Sequence, residues 1–169
     1  MLTMKEGDTV ENISIRFMKP EDYGIFSDFY RELHRQHVQA MPDIFRPETG
    51  LPPEDVFCND LQKDDHCMLL AEVDGKPAGM CILLWKEVPD DPLFPLLPRK
   101  TGHIDDIYVA PEFRRRGIAT LLCEEAQRLA RERGVSHLTL MVWSFNEDAM
   151  GLYKKLGFAP TLINMEKRI

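Results

Sequence analysis

Apolar and polar residues alternate over Ile13-Ser14-Ile15-Arg16-Phe17, the period of a half-buried strand. The period then lengthens. Lys19-Pro20-Glu21-Asp22 puts a proline and two acids in a first helical turn, and Phe26, Phe29, Tyr30, Leu33 and His37 follow as one inward stripe. The stripe ends in a stiff loop, residues 41–47, carrying Ile44 and Phe45 between Pro42 and Pro47. Pro52-Pro53-Glu54-Asp55 opens a shorter helix through about residue 63. Strands are predicted at 67–73 and 78–85, with Asp74-Gly75 as the hairpin turn between them. Residues 86–100 contain Pro89, Pro92, Pro95 and Pro98, which exclude regular helix and central strand. Leu93, Phe94, Leu96 and Leu97 in this connector need cover, from the same chain or a second copy.

Further along, residues 103–109 read as a strand stopped by Ala110-Pro111, and a helix runs over 117–133 with Gly134 as its cap. Residues 136–142 are a strand rich in Leu and Val, 146–156 a helix capped by Gly157, and 159–166 a last strand. The order β-α-α-β-β-β-α-β-α-β predicts an α/β fold, a mixed sheet with helices on its faces. One domain is expected over residues 1–169, with 1–12 as a flexible tail.

Composition narrows the function. The 169 residues carry 21 basic against 28 acidic side chains, a net charge of −7, and 44% are hydrophobic. That is core enough for one domain, too apolar for a disordered chain, and too acidic for a general nucleic-acid binder. No stretch is long and apolar enough for a membrane span, and the start lacks the apolar run of a secretion signal. Cys58, Cys67, Cys81 and Cys123 form no metal-binding or redox pair, so they read as reduced, mostly buried residues of a cytoplasmic protein.

Residues 109–122, Val-Ala-Pro-Glu-Phe-Arg-Arg-Arg-Gly-Ile-Ala-Thr-Leu-Leu, join a strand to a helix through a basic turn. Free amides and the positive helix end meet Arg114, Arg115 and Arg116 there, while Gly117 and Ala119 let a bulky anion approach the backbone. This is an anion site with neither Walker nor dinucleotide-binding spacing. Arg114-x-x-Gly117-x-Ala119 resembles the acetyl-CoA signature of the GNAT superfamily of N-acyltransferases. Asn146-x-x-Ala149-x-x-Leu152-Tyr153-x-x-x-Gly157-Phe158 resembles the family's second block, and the element order agrees over nearly the whole chain. The resemblance implies a GNAT fold with a splayed central strand pair and acetyl-CoA as cosubstrate, without a metal. It assigns backbone groups of Ile107, Tyr108 and Val109 to the pantetheine. Arg114, Arg115, Arg116, Gly117, Ile118, Ala119 and Thr120 fall to the pyrophosphate.

Tyr153 lies on the inward face of its helix with Ala149, Leu152 and Leu156. Such a tyrosine is ordinarily a core aromatic; the resemblance makes it the general acid that protonates departing CoA thiolate. Asn146 is foremost an N-cap, and by resemblance lies near the cofactor. Attack on a thioester needs a neutral amine, so some group must take a proton. Asp105 and Asp106, adjacent acids in an otherwise apolar strand, are the candidates. Alternation allows one of them to face a cleft unless a bulge re-aims the other. Their run, Ile-Asp-Asp-Ile-Tyr-Val, is similar to that of diamine and polyamine acetyltransferases in the superfamily. His34, His37, Phe45 and Arg46 are candidate acceptor contacts, and His103 is expected exposed at its strand's start.

The expected activity is acetylation of a small primary amine by direct attack. Protein N-termini or lysines are the alternative acceptors, and a non-catalytic acyl-CoA sensor is the alternative function. A homodimer is expected if the 93–97 segment is covered by a second copy.

Overall fold

A computed structural model describes residues 11–47, 51–93, 95 and 97–167. Among the described residues five strands and four α-helices follow in the order β1 (Ile13–Phe17), α1 (Tyr23–Ala40), α2 (Glu54–Asp60), β2 (His66–Val73), β3 (Lys76–Val88), β4 (Arg99–Val109), α3 (Ile118–Glu132), β5 (His137–Leu140) and α4 (Glu147–Lys155). The sheet order is β1-β2-β3-β4-β5, antiparallel throughout except for the parallel β4–β5 pair. This is the mixed α/β architecture that the residue pattern predicts. No helix among the described residues is long and apolar enough to cross a membrane.

Alternation along β2 builds both faces of the core. Cys67, Leu69, Ala71 and Val73 pack towards α3 with Ile118, Leu122, Cys123 and Ala126. Met68 and Leu70 point the other way, onto Phe26 of α1 and Phe57 of α2, whose rings stack 4.7 Å apart. The cysteines follow this plan: Cys67, Cys81 and Cys123 are buried, Cys58 half-buried, and all are free.

The turn between β1 and α1 is fastened by two ion pairs that share Arg16. Arg16 Nη1 and Nη2 donate to the two oxygens of buried Asp22 at 2.7 and 2.9 Å, and Nη2 also reaches Glu72 at 3.0 Å. The Lys19 amide donates to Asp22 at 2.8 Å. The Arg16 hydrogen bond holds the Asp22 carboxyl below the usual carboxylate range. Its stabilisation is therefore complete above the ordinary carboxylate pKa and is lost as pH falls through the lowered folded value. Arg16 is about a third open to water, so Asp22→Asn is expected to cost about 2 kcal/mol rather than the full penalty of a buried orphan. In a chain of this length that lowers Tm by roughly 4–8 °C. Thermal melts at neutral pH check it, and an unchanged Tm would show that the pair contributes nothing.

Several expectations are corrected. Residues 159–166 form no strand; they run exposed and irregular after α4. A β-pattern specifies a strand but not its partner, and among the described residues no strand pairs with this segment. The proline connector is shorter than expected, because β3 continues to Val88 and β4 starts at Arg99; cross-strand pairing prevails up to the prolines. His103 is consequently in mid-strand, opposite Leu84 and Thr139, and buried rather than exposed. Leu93 and Leu97 stay exposed, while Phe94 and Leu96 lie outside the described residues. Residues 1–10 of the expected tail also lie outside them, but Asn12 is tied to the hairpin turn, its amide donating to Asp74 at 3.1 Å.

Candidate active site

The β4–β5 ladder ends at Ile104 opposite Leu140, yet β4 runs on to Val109. Past that point the two strands part, which is the splayed central pair expected from the resemblance. Backbone groups of β4 that point away from β3 have no strand to receive them there. A cleft of about 280 Å³ occupies the opening.

The register of β4 slips opposite Ile82 and Leu83, which pair with Asp106 and Ile104 and leave Asp105 as the extra residue. This bulge has a consequence for every side chain after it. Ile104 and Ile107, three apart, both pack towards α3, while Tyr108 packs towards α1. Asp105 and Asp106 are both turned into the cleft. Asp105 is exposed and Asp106 half-buried. Burial, and then the neighbouring charge of Asp105, push the Asp106 carboxyl up to about 6.

From the other wall comes Tyr153 of α4, 7% exposed, its ring edge-to-face with Phe158 at 5.7 Å. Burial, with Cys123 and Cys81 nearby, raises its hydroxyl well above the usual phenol range. Asn146, also in the cleft wall, caps α4 by accepting from the Ala149 amide at 3.1 Å. That fits its primary role as an N-cap.

Of the expected cofactor residues, Ile107 and Asn146 line the cleft, whereas Tyr108, Val109 and residues 114–120 do not. Gly117 begins α3 at φ +83°, a left-handed conformation that side chains rarely adopt. No side chain caps this helix and no acid sits in its first turn, so the amides of Ile118, Ala119 and Thr120 are open to an anion. A Cβ at Gly117 would meet nothing within 4 Å. The residues present fit a phosphate-bearing cofactor. The three arginines divide the work. Arg114 donates to the Val109 carbonyl at 3.1 Å; Arg116 pairs with Glu11 at 2.6 Å, donates to the Glu112 carbonyl and lies over Phe113. Both brace the turn. Among the described residues Arg115 reaches only Asp148, at 3.8 Å with both side chains almost fully exposed, a contact worth little and easily exchanged for a phosphate.

The acceptor side is aromatic. His34, His37 and Phe45 line the cleft with Tyr30 and Trp143. Phe45 lies 5.1 Å from Trp143 and 5.0 Å from His37, and His37 meets Phe145 edge-on at 5.8 Å. Both histidines are fixed by carbonyls, His34 Nε2 donating to Arg46 and His37 Nδ1 to Leu33. Arg46 thus contributes its backbone, and its side chain lies outside the lining. The Tyr108 side chain is likewise turned away, packed 5.1 Å from Phe29. Tyr30 and Trp143 are lining residues that the sequence reading missed, and Phe145 stands behind the lining against His37. The available signal was two aromatics just before a helix cap, past the carboxyl end of a parallel strand, where ligands of such sheets bind.

The family model for GNAT acetyltransferases matches residues 27–158, which spans the cleft, the turn and both helices around them. The chain belongs to the GNAT acetyltransferase family. Similar GNAT relatives include an uncharacterized N-acetyltransferase of Methanocaldococcus jannaschii, 34% identical over 100 residues, covering 58% of this chain and 41% of the relative. Another is the thialysine N-epsilon-acetyltransferase of Bos taurus, 32% identical over 105 residues and covering 54% of each. The chain spans about half the length of the curated relatives it matches. Among solved structures, a mutant of the BH1408 protein of Bacillus halodurans is 25% identical with a TM-score of 0.85, covering 92% of this chain and 99% of that one. The aminoglycoside N-acetyltransferase AAC(6')-Iy in complex with CoA shares the fold at 21% identity and a TM-score of 0.66, covering 96% and 98%.

Proposed function

We propose that the protein is a cytosolic enzyme that moves an acetyl group from acetyl-CoA to the primary amine of a small molecule by direct attack. The observation that carries this reading is the convergence of Asp106 and Tyr153 on one cleft, together with an α3 start open to phosphate whose turn touches α4 of the cleft wall through Arg115 and Asp148. Acetyl-CoA bound there supplies the acetyl group as an activated thioester. Ile118, Ala119 and Thr120 amides, with Arg115, hold the pyrophosphate, and the free edge of β4 over Ile107 to Val109 aligns the pantetheine. Asp106, helped by Asp105, takes the ammonium proton, and Tyr153 gives its proton to the leaving sulfur. An acyl-enzyme route needs a thiolate, and burial holds Cys67 and Cys123 up at about 11.

The acceptor is cationic on arrival. Two carboxylates and the faces of Phe45, Trp143 and Tyr30 suit an ammonium group, each well-placed ring adding about 0.5–2 kcal/mol. The relative named for thialysine N-epsilon acetylation supports a small amine acceptor. Four free cysteines, three of them buried, fit a reducing compartment.

The test is CoA thiol release from acetyl-CoA against amines, polyamines, aminoglycosides and amino acids. Release that depends on at least one amine is the expected result. Saturable binding without release from any acceptor would replace the enzyme by a sensor. Stronger competition by ATP than by CoA would make the turn a general nucleotide-phosphate site.

A further inference from the structure

Acetyl transfer takes two protons from one nitrogen. An ammonium must lose the first to become a nucleophile. The same nitrogen, positive again once bonded to the acetyl carbon, must lose another to end as an amide. Asp106 receives the first, and while it holds that proton it cannot take the next. A second acceptor in the same cleft would let both leave in one turnover. Asp105 is the other carboxylate there, and it is exposed. Two residues before it on β4 lies His103, only 8% exposed and so far unused by the chemistry.

A short chain of hydrogen bonds orients that ring. His103 Nδ1 lies 2.9 Å from Thr139 Oγ1, and the Thr139 hydroxyl donates to the Gly102 carbonyl at 3.4 Å. A hydroxyl has one proton and a carbonyl can only accept, so Thr139 receives the Nδ1 proton of the ring. In the neutral imidazole this leaves Nε2 as a bare lone pair. Nε2 stands 3.8 Å from Oδ1 of Asp105. Two acceptors thus face each other with no proton of their own to share. Among the described residues, the charged groups acting on the ring are Lys86 from β3 and Asp105 on its own strand, and β5 adds the uncharged Thr139 hydroxyl. Burial, and then Lys86, hold the imidazole below the usual histidine value, while Asp105 works the other way. The ring therefore rests neutral in the neutral range, ready to accept.

We propose that His103, acting through Asp105, stores the second proton of each turnover. The assignment rests on the acetyl transfer proposed for this cleft. As the C–N bond forms, the positive nitrogen gives its remaining acidic proton to the Asp105 carboxylate. Nε2 draws it across, because an imidazole is far more basic than a carboxylate. The result is an imidazolium beside a carboxylate. The C–S bond breaks, and the sulfur takes the Tyr153 hydroxyl proton. Of the two stored protons, one returns to the tyrosinate and one goes to water. One ammonium and one thioester have then become one amide, one thiol and one released proton. His103 touches neither substrate nor cofactor, so it is a positioning residue, and Thr139 sets which of its nitrogens is bare.

Imidazole nitrogen NMR on the full chain reads the ring without any catalysis. The expected spectrum at neutral pH has His103 protonated at Nδ1 and bare at Nε2. Its titration should lie below the usual histidine value, and lower still in Asp105→Asn, where the raising charge is gone. In steady state, His103→Asn keeps a donor for Thr139 and loses Nε2, and should lower kcat by about 10- to 10²-fold. The KM values for amine and acetyl-CoA should change less than about threefold. Thr139→Val, which leaves the imidazole in place, should lower kcat in the same direction, and Thr139→Ser should restore most of it. Circular dichroism verifies that each variant folds. An Nε2–H tautomer in the unaltered protein, or undiminished kcat in folded His103→Asn or Thr139→Val, would overturn this inference and leave acetyl transfer standing. No thiol release by the unaltered protein with any amine would overturn acetyl transfer and the proton store together.

Discussion

Tyr153→Phe is expected to retain the fold and acetyl-CoA binding while cutting kcat by about 10²- to 10³-fold. The ring is buried against Phe158, and phenylalanine keeps that packing. The substitution takes one hydroxyl from the cleft wall and leaves the ring contacts in place. What is lost is the proton. A phenol is protonated throughout the neutral range, and burial, by raising this one, keeps it so while making it a weaker acid. The leaving thiol has a pKa of about 8.5, so water can also protonate it eventually, which is why a residual rate is expected and why the loss stops short of the largest values. Steady-state kinetics should show the drop in kcat with the KM for acetyl-CoA changed less than about threefold. Unchanged turnover would remove Tyr153 from the mechanism and leave it as a core aromatic.

The alternation in β1, the Asp74-Gly75 turn, the basic strand-to-helix turn and the inward face of α4 are all local features, and local features are legible in a sequence. Each depends on a period or a dihedral preference within a dozen residues. The phosphate turn could be read because small residues, charge and a helix start must coincide there. Other features depend on what lies opposite. Asp105 and Asp106 raise the question of a bulge, but the slip itself is set by Ile82 and Leu83 across the ladder. His103 reads as a strand end only if β4 stops where the prolines suggest; extension back to Arg99 buries it against Thr139, whose hydroxyl oxygen lies 2.9 Å from Nδ1. Residues 159–166 have a strand's pattern without a strand's partner. The aromatic wall of Phe45, Trp143 and Phe145 joins positions about a hundred residues apart, and no window of the sequence contains it.

Asp106→Asn should remove an acid limb from the pH profile as well as slow the reaction. An alkylammonium with a pKa near 10.4 cannot readily give its proton to an ordinary carboxylate of about 3.9, a gap of roughly 9 kcal/mol. With Asp106 at about 6 the gap narrows by roughly 3 kcal/mol, enough to matter to a rate. The direction of the profile follows from the charge required. The base must be ionised, so kcat/KM should climb as pH rises through about 6 and level off above it. In the asparagine variant the limb vanishes and kcat falls by about 10²- to 10³-fold, while acetyl-CoA affinity holds. Asp105→Asn provides the contrast. The charge of Asp105 is the second cause of the elevation at Asp106, after burial. Removing it should move the limb to lower pH, keep a measurable rate, and weaken the amine KM by taking one carboxylate from the cleft. A limb that persists in Asp106→Asn, or one that shifts upward in Asp105→Asn, would place the proton acceptor elsewhere, the nearest successor being the pair of Asp105 and His103, whose Nε2 stands 3.8 Å from that carboxylate.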